Sequence, residues 1–253
     1  MRRALVEDVG SGRVRLSADE AHHLVRVLRL TRGAEFEGVT GDGRRLRCRL
    51  DREGEEWYGH VTGSSTFTAE SPLHLALAQA LIKRDRFEWV VQKAVELGVA
   101  EIFPLETARS ELRLDEHRRD RKRTRWERII QEAVKQCGRT RLPVLHEPQP
   151  FSGFLAGSWT SGGIALDEEG SGTLGAVFRH PPRPRCTLLI GPEGGWDPQE
   201  RRLLDAAGIR RVRLGPRVLR TETAAVAGLA LIQFTWGDLS RNPEEFRLDY
   251  TDV

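Results

Sequence analysis

The spacing of apolar residues changes character near residue 70. Upstream, apolar and polar positions alternate in short runs. Residues 33–50 read GAEFEGVTGDGRRLRCRL, a hairpin turning at Gly41-Asp42-Gly43, and Glu56–Thr62 reads as a further strand. One helix, about 18–29, interrupts the strands. The pattern predicts a small β-barrel over residues 1–68. Ser64, Ser65, Thr66 and Thr68 lead to Ser71-Pro72 and read as a linker. From Leu73 onward strand-like and helix-like runs alternate, as in a parallel sheet with crossover helices, and this second domain is placed at 72–240. The expected fold class is α/β, a Rossmann-like parallel sheet preceded by a barrel.

Three helices can be read by their faces. On 85–97, Phe87, Val90, Val91, Ala94 and Leu97 form a core face, and Gln92, Lys93 and Glu96 lie on another. On 125–138, Trp126, Ile129, Ile130, Ala133, Val134 and Cys137 make the apolar stripe, with Glu132, Gln136 and Arg139 beside it. Solvent exposure with ordinary i,i+4 pairing accounts for such polar trios. The run Ala224–Trp236 is apolar on all sides and rich in small residues, so it is predicted to be buried.

Two glycine turns precede that last helix. Leu188, Leu189 and Ile190 form an unalternating apolar strand that stops at Gly191-Pro192, and Asp197-Pro198-Gln199-Glu200 then opens a helix with a capping-box pattern. Val212 and Leu214 end a second strand at Gly215-Pro216. Turns of this kind at the carboxyl edge of a parallel sheet form ligand pockets. Arg220 and Glu222 stand at the mouth of the apolar helix, where a mutual salt bridge or a polar ligand would account for them.

GPEGGW (191–196) together with LGPRVLRTETAAVAGL (214–229) resembles the SPOUT class of S-adenosylmethionine-dependent RNA methyltransferases. Three further segments make the chain similar to the family that methylates N3 of a uridine in 16S ribosomal RNA: HHLVRVLR (22–29), KRDRFEWVVQKAVELGVAEIFPLETARS (83–110) and RWERIIQEAVKQCGRTRLP (125–143). The resemblance runs from about residue 20 to about residue 235. It implies a PUA-like RNA-binding barrel, a C-terminal trefoil knot and a homodimer that buries part of 224–236. It implies that S-adenosylmethionine lies in three loops, at Leu166, at Ile190, Gly191, Glu193, Gly194 and Gly195, and at Leu214, Gly215, Leu219 and Thr221. Arg29, Lys83, Arg109, Arg121, Lys122, Arg123 and Arg139 are the expected RNA contacts, and the partner is 16S ribosomal RNA or the assembled small subunit.

Composition narrows the alternatives. The 253 residues are 39% hydrophobic and 30% charged, with a formal net charge of only +3. Basic charge is concentrated: residues 118–128, RRDRKRTRWER, hold seven basic and two acidic residues, a pattern that marks a polyanion partner or a solvated face. No run is apolar and long enough to span a membrane, and the N-terminus lacks a signal core. Cys48, Cys137 and Cys186 are sparse and match no metal pattern, which fits a reducing, cytoplasmic setting and no metal. GSGTLG (170–175) fits a dinucleotide fingerprint formally, but three acidic residues precede it and Pro181-Pro182 soon follow. A nicotinamide dehydrogenase and an RNA-binding module without catalysis are therefore alternatives, as is a related methyltransferase acting on another nucleotide.

The imide nitrogen of uracil is a poor nucleophile until it loses its proton. A carboxylate can accept that proton, or an arginine can stabilise charge developing on the base oxygens. Glu222 and Arg220 are the candidates for these two roles.

Overall fold

The computed structural model describes residues 2–65, 69–180, 184–242 and 251–252. Thr66 and Thr68 of the expected linker, and Pro181-Pro182, lie outside the described residues. The chain divides into two compact units. One comprises 1–70, 131–142 and 241–253, and the other 71–130 and 143–240.

The first unit is a barrel. Strands β1 (Arg3–Gly10), β2 (Arg13–Leu16), β3 (Glu35–Val39), β4 (Arg45–Glu53) and β5 (Glu56–Ser65) run in the order β5-β2-β1-β3-β4, and β4 pairs back onto β5 to close it. Val6, Val14, Leu16, Leu24, Phe36, Cys48 and Leu50 fill its interior. The helix expected over 18–29 is shorter and changes type. Helix α1 (Ala18–His22) is capped by Ser17, whose hydroxyl accepts from the Glu20 amide. The chain then widens into a π-helical turn over His23–Val27 and ends at Arg29, which has φ 55. Buried Glu20 accepts from Lys135 Nζ at 2.7 Å, which balances both charges within this unit.

The second unit is an all-parallel sheet. Its strands are β6 (His74–Ala80), β7 (Glu101–Glu106), β8 (Val144–Leu145), β9 (Gln149–Pro150), β10 (Ile164–Leu166), β11 (Gly172–Thr173), β12 (Arg185–Ile190) and β13 (Arg210–Arg213). The order is β11-β13-β10-β12-β6-β7-β8, with β9 also on β7. Helices α2 (Arg84–Glu96), α3 (Glu116–Cys137), α4 (Phe151–Leu155), α5 (Leu174–Phe178), α6 (Pro198–Ala206) and α7 (Thr221–Trp236) follow in chain order, the last turns of α3 belonging to the barrel unit. Strand β14 (Thr251–Asp252) returns to β5 of the barrel. Ala76, Ala78, Phe103, Leu105, Phe151, Phe154 and Trp196 pack on one face of the sheet. Burying each large side chain of this set contributes about 1.5–3 kcal/mol.

Two expectations change. Helix α3 begins at Glu116, so the basic run 118–128 lies within it. Helix α7 begins at Thr221 and is not buried all round, since Phe234 is 60% exposed and Leu231 40%. Its inward line is set by Gly228, where a Cβ would stand 2.9 Å from Leu188 and 3.0 Å from Leu166. That close approach seats one face on the sheet and turns the opposite face outward.

Candidate active site

Strands β10, β12 and β13 end side by side, so the loops that follow them share one edge of the sheet. Between these loops is a cleft of about 320 Å³. This is within the range of small-molecule sites, which begin at roughly 300 Å³. Of the ten expected cofactor positions, nine line it: Leu166 from the first loop; Ile190, Gly191, Glu193 and Gly195 from the second; Leu214, Gly215, Leu219 and Thr221 from the third. Gly194 is not part of the lining. Its carbonyl accepts from Arg109 Nη1 at 2.8 Å, which places it on the outer side of the turn.

Backbone chemistry explains the shape. Gly195 has φ 68 and Gly215 φ 76, left-handed conformations that cost other residues roughly 1–2 kcal/mol. A Cβ on Gly215 would meet no atom within 4 Å among the described residues other than its own chain neighbours. The Thr221 hydroxyl donates to the Gly191 carbonyl at 2.6 Å and accepts from Gln79 Nε2 at 3.3 Å, tying the start of α7 to the β12 turn. Gln79 is fully buried, and its Oε1 has no partner among the described residues.

Three residues that the sequence did not mark as functional hold this edge together. Trp196 is buried, and its indole N–H donates to the Leu166 carbonyl at 3.0 Å, linking the first two loops. Asp167 is buried between Arg211, 2.8 Å away, and Arg201, 3.1 Å away. Burial opposes its ionisation. The bonds from Arg211, the Glu169 amide and Arg201 outweigh that and hold its carboxyl below the ordinary 3.8. Arg86, from the first turn of α2, lines the cleft with its Nη1 3.9 Å from Glu193 Oε1 and its Nε 3.8 Å from Glu222 Oε1.

The expected catalytic pair is therefore separated. Arg220, the residue preceding α7, lines the cleft, whereas Glu222 is not in its wall and pairs with Arg86 rather than with Arg220. The expected RNA contacts scatter. Lys83 and Arg121 are exposed, Lys83 standing 3.7 Å from Glu111, and Lys122 is half-buried. Arg123 pairs with Glu127 at 2.9 Å and with Glu147. Its neighbours Arg118, Arg119 and Arg125 pair with Asp115, Glu106 and Glu88. In the barrel unit, Arg29 is exposed. Arg139 is only 4% exposed and bonds to Glu70 at 2.7 Å, so it is a packing residue with no face toward a polyanion.

The dinucleotide reading of GSGTLG fails on geometry. Gly172–Thr173 forms β11 against β13, and a Cβ on Gly170 would stand 2.9 Å from the backbone of Arg211 and Val212. These glycines allow strand packing. Among the described residues no cluster of His, Cys, Asp or Glu could hold a metal, and no helix is long and apolar enough to cross a membrane.

A barrel and a parallel α/β unit whose cleft is built from three loops at one sheet edge match the two-part family of RNA methyltransferases. The chain belongs to the RNA methyltransferase domain family, whose model matches residues 69–233, and a model of the RNA methyltransferase PUA domain matches 16–57. Ribosomal RNA small subunit methyltransferase E of Bacillus subtilis is 31% identical over 87% of this chain and 89% of its own length. The enzyme of the same name from Neisseria gonorrhoeae, solved bound to S-adenosylmethionine, superimposes with a TM-score of 0.85 at 31% identity over 94% of this chain and 99% of that one. Lpg2936 of Legionella pneumophila, solved in complex with S-adenosylmethionine, gives 0.87 at 34% identity over 94% and 98%.

Proposed function

We propose that this chain methylates N3 of a uridine in the 16S ribosomal RNA of the small subunit, with S-adenosylmethionine as cofactor. The observation that carries the reading is the convergence of three loops on one cleft with glycine backbone at its turns. Leu166, Ile190, Leu214 and Leu219 offer apolar walls suited to an adenine, and the main chain at Gly191 and Gly215 suits its polar edge and the ribose. When bound, the cofactor supplies a methyl carbon on a sulfonium; the nitrogen–carbon bond forms as the carbon–sulfur bond breaks, and a neutral thioether leaves.

The protein's share is alignment and charge. Alignment of the reacting atoms can lower the barrier by roughly 7–11 kcal/mol. Arg220, exposed in the cleft wall, is proposed to face the oxygens of the uracil as they gain charge. Residues 1–68 are assigned to RNA binding and 72–240 to cofactor binding and transfer. Arg29, Lys83 and Arg121 are exposed and are retained as RNA contacts. The outward face of α7, with Leu231 and Phe234, is assigned to a homodimer, and the three loops to a trefoil knot. A cytoplasmic location goes with this substrate.

The deciding experiment incubates small subunits from a strain lacking the modification with the protein and labelled cofactor, then digests the RNA to nucleosides. Labelled 3-methyluridine is expected. Label in another nucleoside overturns the position, and no transfer to any small-subunit substrate overturns the enzyme. Gly215→Val should weaken cofactor binding at least about tenfold by calorimetry, because a β-branched residue cannot adopt that turn without strain.

A further inference from the structure

Among the described residues the cleft wall carries four arginines, Arg86, Arg213, Arg217 and Arg220. Three of them are exposed. Arg86 differs in being anchored. It projects from a helix whose Phe87, Val90, Val91 and Ala94 are buried, which fixes its root. Its guanidinium lies within 4.0 Å of two carboxylates, Glu193 at 3.9 Å and Glu222 at 3.8 Å. Glu193 is steadied in turn by the Lys83 amide, 3.4 Å from its Oε1. Glu222 is 16% exposed in its side chain, and its Oε2 is buried with no hydrogen-bond partner among the described residues. A carboxylate so enclosed, and absent from the cleft wall, is badly placed to receive a proton from a base in the cleft. It is well placed to hold a cation that faces the cleft.

The proposed substrate supplies a matching charge pattern. A uridine that has lost its N3 proton spreads negative charge over that nitrogen and the two oxygens flanking it. Two cations on the wall, Arg86 and Arg220, answer two oxygens. Donors fixed before the reaction stabilise such charge without reorganisation, and losing one costs about a hundredfold to a thousandfold in rate.

We propose that Arg86 is a second catalytic residue, which stabilises the uridine anion through a base oxygen, and that Glu193 and Glu222 are positioning residues that hold its guanidinium toward the cleft. The imide proton leaves to water, the electron pair stays on N3, and that pair makes the new bond to carbon. Glu222 then has no proton-accepting role. This inference rests on uridine N3 as the methylated atom.

The test uses the whole protein and small subunits carrying uridine or, separately, 5-fluorouridine, whose imide is more acidic. Arg86→Ala should lower single-turnover transfer to uridine by about a hundredfold while calorimetric cofactor affinity stays within about threefold. 5-Fluorouridine should recover a large part of that loss, because a base that ionises by itself needs less help. Arg86→Lys, which keeps the charge, should recover part of it with uridine. Glu222→Gln should lower the rate less than Arg86→Ala does and leave the shape of the pH–rate profile unchanged. Because Arg86→Ala leaves the buried Glu222 without its cation, the Arg86→Ala, Glu222→Gln double variant is measured as well, and it should show the same loss and the same 5-fluorouridine recovery. An unchanged rate in the Arg86 variants, or a loss that 5-fluorouridine does not relieve, overturns the proposal. A Glu222→Gln variant that loses the acidic limb of the profile restores Glu222 as proton acceptor and overturns it too. If wild type forms a product other than 3-methyluridine, the functional reading fails first and is recognised by that product.

Discussion

The two edges of the parallel sheet use similar residues to opposite ends. At the edge where the strands begin, Glu101 is 2.7 Å from Nε2 of His74 through one oxygen and 2.7 Å from Nε2 of His146 through the other. His146 stacks on Phe103 at 3.8 Å, and Trp159 stacks on His74 at 6.0 Å and carries the Arg185 guanidinium over its ring at 5.2 Å. Both oxygens of that buried carboxylate have a partner. At the edge where the strands end, Gln79 Oε1 and Glu222 Oε2 are buried without partners among the described residues, and Arg213, Arg217 and Arg220 are exposed in the cleft wall. Polar groups that satisfy one another make a rigid base. Exposed cations beside turns built on positive-φ glycines, as at Gly195 and Gly215, leave a place for something else.

The contrast can be broken most severely at Asp167, which serves both stability and the cleft. Asp167→Ala removes the carboxylate that Arg201 and Arg211 share, and should destabilise the fold by about 3 kcal/mol in denaturant melts. The acid behaviour follows from the depressed titration of Asp167. A carboxyl whose folded value lies below 3.8 contributes stability that is complete above that value and is lost as pH falls further. Wild type should therefore lose stability below about pH 4 more steeply than Asp167→Ala.

Arg220→Ala should act in the opposite sense, leaving the melting curve in place and lowering single-turnover transfer about a hundredfold. Cofactor affinity near wild type would locate its effect in the transition state, whereas an equal loss of affinity would make it a cofactor ligand. Glu101→Ala tests the other edge. Two histidines lose their acceptor, so stability should fall by about 1–3 kcal/mol while cofactor affinity is unchanged. A loss of affinity there would mean that the two edges are coupled.

The smallest expected effect concerns the basic run. Arg121→Ala should lower the log–log salt slope of RNA binding by about 0.7, the value of one phosphate contact on a single strand. Arg123→Ala should change it little, because that guanidinium already faces Glu127 and Glu147. Equal slopes in both variants and wild type would make the run a solvated face.

Much of this was legible in the chain. The period change near residue 70 announced a barrel followed by a parallel sheet, and Asp197-Pro198-Gln199-Glu200 forms the capping box its spacing suggests, with the Asp197 amide donating to Glu200 at 3.0 Å. The glycine turns located the cleft because positive φ has a strong residue signature. What escaped was long-range. Nothing local in KRDRFE says that Arg86 meets Glu222, since the pairing depends on where α7 crosses α2. Asp167 looked like one of three acidic residues before a glycine run, and its two arginines come from α6 and β13. Arg139 looked like a surface cation because helical spacing cannot reveal Glu70. The all-apolar α7 suggested burial on every side, whereas its outward face keeps Leu231 and Phe234 in the open.

The Asp167 loop also bears on when the cleft can exist. Its arginine partners lie 34 and 44 positions later in the chain, and the Trp196 that bonds to Leu166 lies 30 later. A nascent polypeptide emerging from the ribosome therefore completes the loop only after β13 has been synthesised, and the wall only after Thr221. Until then the cleft has no complete wall, so an incomplete copy of the protein lacks the site proposed for the cofactor.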